Sequence, residues 1–248
     1  MADDKPRPPK GNRLSRRQFL AGAGTLVGGA AIGSALGGCR STIRDSVTPT
    51  GDEIIYSPDT QRDDRIPPGQ SETGRWPVLQ YGGVVHVSQD DWKFTISGLV
   101  DAPVVLSYAQ FVELPGVRVF SDVHCVTGWS KLNNLWQGSG SQTIFDLAKA
   151  RPEAKFVIVK AEGGFTANLT LEDFLEEDVV FAVSHDDQPL TSEHGAPVRL
   201  VVPRLYFWKS AKWVNGIEFT DVDRPGFWEL AGYNNHGDPW KEERYQGD

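Results

Sequence analysis

Asp122-Val123-His124-Cys125-Val126-Thr127-Gly128-Trp129-Ser130 is the stretch on which the reading of this chain turns. Upstream of it, Val117, Val119, Ser121, Val123 and Cys125 alternate with Arg118, Asp122 and His124, the period of a strand with two different faces. Cys125 therefore ends a strand, ahead of a turn at Thr127-Gly128. Strand ends that open into loops are frequent places for functional groups. A thiolate there suits a soft metal or acts as a nucleophile. The alternative is a buried structural cysteine, since free cysteine ranks among the most buried residues. Zinc fits poorly, because His86, His124, His185, His194 and His236 are scattered and form no close pair. A cysteine protease fits poorly too, because no local signature surrounds Cys125.

A second stretch lies further on: His194-Gly195-Ala196-Pro197-Val198-Arg199, then Pro203-Arg204-Leu205-Tyr206-Phe207-Trp208-Lys209-Ser210-Ala211-Lys212. It packs Arg199, Arg204, Lys209 and Lys212 into a few turns of an otherwise acidic chain. Such a cluster suits a bound anion such as a phosphate. A solvated face balancing acidic neighbours is the other reading.

Between and around these stretches the pattern is that of an α+β domain with a substantial mixed sheet and short helices. Trp92, Phe94 and Ile96 alternate with Lys93, Thr95 and Ser97 in a half-buried strand. Ser107-x-x-Gln110 and Thr170-x-x-Asp173 announce helices over Tyr108–Leu114 and Leu171–Glu176. A short helix is expected over Ile144–Ala150, and strands over Phe156–Lys160, Val179–Ser184, Val198–Val202 and Val214–Phe219. Trp92 and Trp213 are expected in the core.

The first residues read differently. Lys5, Arg7, Lys10 and Arg13 precede Ser15-Arg16-Arg17-Gln18-Phe19-Leu20 and a Gly/Ala-rich apolar run to Leu36. This is the composition of an export signal, and the paired arginines point to the twin-arginine route. A retained single-span anchor is the alternative. Leu36-Gly37-Gly38-Cys39 resembles a bacterial lipobox, which makes Cys39 the expected lipid attachment and residues 1–38 the signal peptide. Residues 39–67, with Asp63-Asp64 and Pro67-Pro68, read as a polar tether, and residues 68–248 as the domain. Of the 248 residues, those after the signal carry 19 basic and 31 acidic side chains, a net of −12, which disfavours nucleic acid and anionic lipid as partners. The chain has two cysteines. With Cys39 acylated, Cys125 has no disulfide partner in an oxidising compartment, so burial or a ligand must protect it.

Cys125-Val126-Thr127-Gly128-Trp129-Ser130 with Trp136-Gln137-Gly138 resembles the Cys-Val-x-x-Trp-Ser…Trp-x-Gly segment of the periplasmic methionine sulfoxide reductase catalytic subunits. Gly195-Ala196-Pro197-Val198-Arg199-Leu200, Pro203, Tyr206, Lys209 and Lys212 resemble that family's later Gly-Ala-Pro-x-Arg-Leu…Pro…Tyr…Lys-x-x-Lys segment. Overall the chain is similar to short, single-domain sulfite oxidase-like oxidoreductases, over nearly all of Ile66–Gly247. The resemblance implies a sulfite oxidase-type fold and molybdenum bound by one molybdopterin dithiolene, oxo ligands and a cysteine thiolate, which falls on Cys125. It implies that Arg199, Ser210, Ala211 and Lys212 hold the pterin and its phosphate. Tyr81, Gly82, Thr127, His194 and Lys209 are further cofactor contacts on this basis, and Tyr206 and Trp208 line the reacting centre.

The resemblance further implies oxygen-atom transfer on a small oxide or oxyanion, with electrons exchanged with a separate protein because no haem domain is present. After Cys125 the chain lacks the Gly-Asn-Arg of true sulfite oxidases, which favours reduction of S- or N-oxides over oxidation of sulfite-like anions. Trp129 and Trp208 are expected to form an apolar rim, while Lys131 and Lys209 are the lysines able to receive an anion. A non-catalytic, lipid-anchored cofactor-binding protein is the remaining alternative. The signal and Cys39 together imply a protein on the extracytoplasmic face of a bacterial membrane.

Overall fold

The computed structural model describes residues 53–248. The strands are β1 (Ile54–Tyr56), β2 (Ser71–Glu72), β3 (Lys93–Gly98), β4 (Val104–Ser107), β5 (Gly116–His124), β6 (Trp129–Gly140), β7 (Phe156–Ala161), β8 (Thr166–Thr170), β9 (Val180–His185), β10 (Gln188–Pro189), β11 (Arg199–Val201) and β12 (Val214–Thr220). The helices are short: α1 (Tyr108–Val112), α2 (Ser141–Ala148), α3 (Leu171–Phe174) and α4 (Phe227–Leu230). The local signals account for several of them. Ser107 and Gln110 close a reciprocal capping box on α1, and Thr170 accepts from the Asp173 amide at the start of α3. No helix among the described residues is long and apolar enough to cross a membrane.

Two sheets result, as the α+β reading requires. The first runs β1-β5-β6-β9, with β10 and β11 on the far edge of β9 and β2 beside the start of β6. The second runs β4-β3-β12-β7-β8, with β12 parallel to β3 and its other pairings antiparallel. The main core joins Phe94, Ile96, Val157, Val159, Ile217 and Phe219 of the second sheet to Phe181, Val183 and Leu200 of the first. β9 is apolar on both faces because it is buried on both. Its Val180 and Ala182 turn away from that core, towards Val119, Val123, Trp136 and Val201. The candidate site is built on this second apolar face.

Three expectations need correction. Residues 54–67 are not a tether. β1 pairs in parallel with β5, Ser57 Oγ donates to buried Asp178 at 2.6 Å, and Arg65 makes two hydrogen bonds to Asp122, at 2.8 and 2.6 Å. Ser57 and Arg65 are spent on buried carboxylates, while Asp63 and Asp64 stay exposed. The rest of that stretch, residues 39–52, lies outside the described residues, as do the expected signal peptide and the expected lipid attachment at Cys39.

The alternation in β5 also holds only as far as Phe120. Ser121 faces Asn134 and Val123 faces Lys131, so β6 carries one residue more than β5 across this step. Asn133 takes up the bulge at φ 59, and its N–H donates to Asp122 Oδ1 at 2.9 Å. Asp122 and His124 are consequently buried, at 1% and 0% exposure, along with Ser121 and Val123. Lastly, Trp129 to Gly140 forms the longest strand described, where the sequence showed only two separate tryptophan motifs.

Candidate active site

Cys125 leaves the end of β5 in a tight turn. Its N–H donates to the Trp129 carbonyl at 2.8 Å, and its own carbonyl accepts from Gly128 N–H at 2.9 Å. Gly128 sits at φ +94, a conformation glycine adopts without steric cost. The thiol is unpaired and 9% exposed, and Thr127 Oγ1 donates to Sγ at 3.2 Å. Burial pushes the thiol pKa up, while the Thr127 hydrogen bonds and the charge of Arg244 act the other way.

Arg199, on β11, points to the same apolar face. It is 1% exposed, and its guanidinium bonds to carbonyls: His194 at 2.9 Å and Ser210 at 3.0 Å. Phe207, Trp76 and Trp136 surround it, with ring centroids at 4.3, 5.3 and 5.6 Å. Among the described residues no carboxylate pairs with it, and burial lowers its pKa to about 9. Lys212 lies near enough for burial and the Arg199 charge to bring its pKa to about 7. Its Nζ donates to the Glu193 carbonyl at 2.7 Å and Gln80 Oε1 at 3.3 Å.

His194 stacks on Trp76 at 3.6 Å, and burial with the two cations lowers its pKa to about 4. Its buried Nδ1 has no partner among the described residues. Two mutually repelling cations in an apolar wall, with an orphan imidazole nitrogen beside them, fit an anionic ligand that is also a hydrogen-bond partner. Gly195 makes the closeness possible. A Cβ there would stand 3.0 Å from Lys212 Cα and 3.1 Å from Arg199 Cβ.

The two clusters are joined through the segment after Val202. Phe207 N–H donates to the His124 carbonyl at 2.8 Å while its ring covers Arg199, so Tyr206 and Phe207 bridge the thiol turn and the cation cradle. Ser210 contributes structurally: its carbonyl holds Arg199 and its Oγ accepts from Val202 N–H at 2.9 Å. The Ala211 carbonyl accepts from Leu200 N–H. Tyr81 is 44% exposed beside Phe227, and with Gly82 it follows Gln80, which touches Lys212.

Lys209 requires a correction. Its ammonium, fully buried, contacts Glu229 Oε1 at 2.7 Å, the Asn168 carbonyl at 3.0 Å, Asn168 Oδ1 at 2.9 Å and the Asn235 carbonyl at 2.6 Å. Three N–H donors facing four protein acceptors leave nothing for a cofactor. Trp208 is likewise committed. Its Nε1 donates to Glu229 at 3.0 Å, Tyr206 stacks on it at 5.1 Å, Tyr233 packs at 5.1 Å, and Gly237 abuts its edge. It supports Tyr206 instead of forming a free rim. Lys131 is held by Asn134 at 2.7 Å and Asp186 at 3.5 Å.

Other residues at the site escaped the sequence reading. Trp76 roofs the cradle between His194 and His185. Tyr233, whose phenol pKa rises to about 12 through burial and the neighbouring Tyr245 and Cys125, packs beside Trp208. Arg244 lies over the Tyr206 ring at 5.1 Å and donates to the Val126 carbonyl at 2.9 Å. Trp76 had a signal, since it is one of eight tryptophans in the chain, but Arg244 sits in a charged tail that reads as surface.

A lone thiol at a strand end, joined through one segment to a buried arginine that no carboxylate neutralises among the described residues, suits a domain that takes an anionic cofactor. The chain belongs to the oxidoreductase molybdopterin-binding domain family, whose model matches residues 81–228. It is an enzyme, and its cofactor is molybdenum with molybdopterin.

Among its relatives, the uncharacterized oxidoreductase YuiH of Bacillus subtilis is 47% identical over 185 residues, covering 74% of this chain and 93% of that protein. The methionine sulfoxide reductase catalytic subunit MsrP of Campylobacter jejuni is 29% identical over 61% of this chain and 57% of that one. The putative protein-methionine-sulfoxide reductase subunit YedZ1 of Azospira oryzae is 27% identical over 69% of this chain and 66% of its own length. The sulfane dehydrogenase SoxCD of Paracoccus pantotrophus shares the fold, with a TM-score of 0.53 and 22% identity over 56% of this chain and 41% of that one. These neighbours fit the sulfite oxidase-like grouping expected from the two motifs. β2 and Arg244 lie outside the family match, yet they border the thiol turn.

Proposed function

We propose that this enzyme reduces S- or N-oxides by oxygen-atom transfer, with Cys125 as the protein ligand to molybdenum. One observation carries the choice of direction: Lys131 and Lys209, the two lysines expected to be able to receive an anion, are both held by protein acceptors. An oxyanion substrate needs fixed, available cations at the centre. The names of the relatives from Campylobacter jejuni and Azospira oryzae support the same direction.

In this reading Arg199 and Lys212 hold the cofactor phosphate, and His194, Thr127, Ser210, Ala211, Tyr81 and Gly82 line the rest of its seat. When bound, the cofactor supplies two-electron redox chemistry. The chain's own part is to seat it, to exclude water with Trp76, Trp129 and Phe207, and to present Tyr206 Oη. That hydroxyl is buried, and burial raises its pKa, so at neutral pH it keeps its proton and can donate to an oxide oxygen. Oxidation of sulfite-like anions is the second reading, favoured by Arg244 beside Cys125.

The same proposal takes residues 1–38 as a twin-arginine signal and Cys39 as the lipid attachment, placing the domain on the extracytoplasmic face of a bacterial membrane. Electrons then come from a separate protein, in keeping with a relative named as a catalytic subunit. Replacing Arg16 and Arg17 with lysine is expected to trap the protein in the cytoplasm, and Cys39→Ser to abolish acylation. The deciding assay compares specificity constants for methionine sulfoxide with a reduced viologen and for sulfite with ferricyanide. A clear preference for sulfite overturns the proposed direction.

A further inference from the structure

We propose that the apolar surface patch built on Tyr81, Phe227, Leu230 and Tyr245 is the docking surface for the electron donor, a small redox protein whose cofactor edge is apolar and ringed by basic side chains. The inference rests on the reading that electrons come from a separate protein, and it says where that protein sits.

Eight large apolar side chains are exposed among the described residues. Five of them, Val78, Leu79, Tyr81, Leu230 and Tyr245, belong to three segments that border the site: the loop carrying Gln80, the helix α4 and the tail carrying Arg244. Leu230 is 77% exposed, the most of the eight. It ends α4 three positions after Phe227, so the two share a face. Tyr81 packs on Phe227 at 5.8 Å, and the rings continue through Trp228 at 5.1 Å and Tyr233 at 5.6 Å to Tyr245 at 5.6 Å. Gln246 Nε2 donates to the Glu229 carbonyl at 2.9 Å, which ties the tail to α4. Single exposed apolar side chains are ordinary, whereas a joined group of them marks a contact site.

What covers this patch follows from what lies under it. Tyr233 packs on Tyr245 on the outside and on Trp208 at 5.1 Å on the inside, and the charge of Cys125 acts on its phenol. A single ring thus lies between the exposed Tyr245 and the surroundings of the thiol. Electron tunnelling weakens steeply with distance, so a donor has to bring its cofactor edge up to a thin wall. A lipid surface has no need of one.

The charges around the patch fit a basic donor. Glu242 and Asp248 of the tail are exposed, and Glu162 begins the turn whose Phe165 packs on Phe227 at 4.6 Å. Lys241 is paired with Asp238 at 3.1 Å, and Arg244 is turned onto the Val126 and Pro68 carbonyls. An aromatic, apolar centre with a charged border is the make-up of small, short-lived interfaces of the kind redox proteins form. Each encounter passes one electron. Two donor molecules are oxidised while one oxide takes up two electrons and two protons, giving the reduced product and water.

The test uses the full-chain holoenzyme and mitochondrial cytochrome c, a basic protein with an exposed haem edge, as the probe. Reduced holoenzyme is mixed with ferricytochrome c and haem reduction is followed by stopped-flow absorbance, because transfer across a docking surface runs both ways by the same path. Wild type is expected to reduce the haem with a second-order rate constant that falls as salt rises. Leu230→Lys is expected to lower that constant about 10-fold, the scale of one interface hot spot, and to weaken calorimetric binding of ferricytochrome c by a similar factor. Val105→Lys places the same charge on β4, at the exposed edge of the second sheet, and is expected to leave both values close to wild type. Turnover of methionine sulfoxide with a reduced viologen, a small donor, should be the same in all three proteins. Equal effects of Leu230→Lys and Val105→Lys, or no transfer to the haem by wild type, overturn the inference. A loss confined to reduction of sulfoxides in an unfolded polypeptide also overturns it, and makes the patch a substrate-docking surface. Failure of wild type to reduce methionine sulfoxide with the viologen sinks the proposed direction instead, and the cytochrome comparison still decides the patch.

Discussion

Arg199 and Lys209 are ten positions apart in one segment, both cationic and both buried, and they do opposite things. Lys209 meets the Glu229 carboxylate and three amide oxygens, so its charge is cancelled inside the protein. Arg199 meets two well-placed carbonyls and three aromatic rings, and no counter-charge. Burying an unpaired charge costs several kcal/mol, which the fold tolerates only where a ligand restores the balance. The difference teaches that the number of basic residues near a site says little. Where each one finds its negative charge separates architecture from binding.

The largest effect expected concerns the thiol that this contrast surrounds. Cys125→Ser should abolish turnover while circular dichroism and the melting temperature stay close to wild type, because a hydroxyl is a poor replacement for a thiolate at a soft metal. Substantial turnover by that variant would remove Cys125 from the metal.

The contrast itself is tested next. Lys209→Met leaves Glu229 buried and uncompensated, so denaturant titration should show a loss of about 3–5 kcal/mol. Arg199→Met should leave the cofactor-free protein as stable as wild type or more so, yet purify with little pterin. Equal destabilisation by the two variants would erase the distinction.

Gly195→Ala sharpens it within the cradle. The new methyl meets Lys212 and Arg199 at a φ of +106, and such strain costs about 1–3 kcal/mol, with cofactor occupancy falling in step.

The smallest effect belongs to the architectural side. Asp173 and Glu243 raise the His236 pKa to about 9 against the opposing effect of burial. A raised pKa contributes stability that is full below about 6.5, the unfolded value, and fades as pH climbs through 9. The melting temperature should therefore decline between those values, and His236→Gln should flatten that slope. An unchanged slope in the variant would place the titration elsewhere.

Much of the frame was legible in the chain. The alternation of Trp92, Phe94 and Ile96, the capping pairs at Ser107 and Thr170, and the double-faced apolar run of β9 each depend on neighbours a few residues away. β6 was obscured because Trp129–Gly140 is rich in polar residues that are buried by pairing on both edges and interrupted by a bulge at Asn133. β1 is three residues long, too short for any period to show. His194, Arg199 and Lys212 come from one contiguous motif, and the structure brings them together. Lys209 was grouped with them because its neutralising partners, Asn168 and Glu229, are 41 and 20 positions away. Arg244 was missed for the same reason, since its contacts cross 118 residues to Val126 and 176 to Pro68.

Those long spans have a kinetic side. The turn around Cys125 closes on bonds to Gly128 and Trp129, only a few residues off, and can form while the chain is still being made. The bond across it from Arg244 to Val126 spans 118 positions. Contacts of such separation must first overcome a large loop-closure entropy and form late in folding. The mouth over the thiol thus shuts near the end of folding.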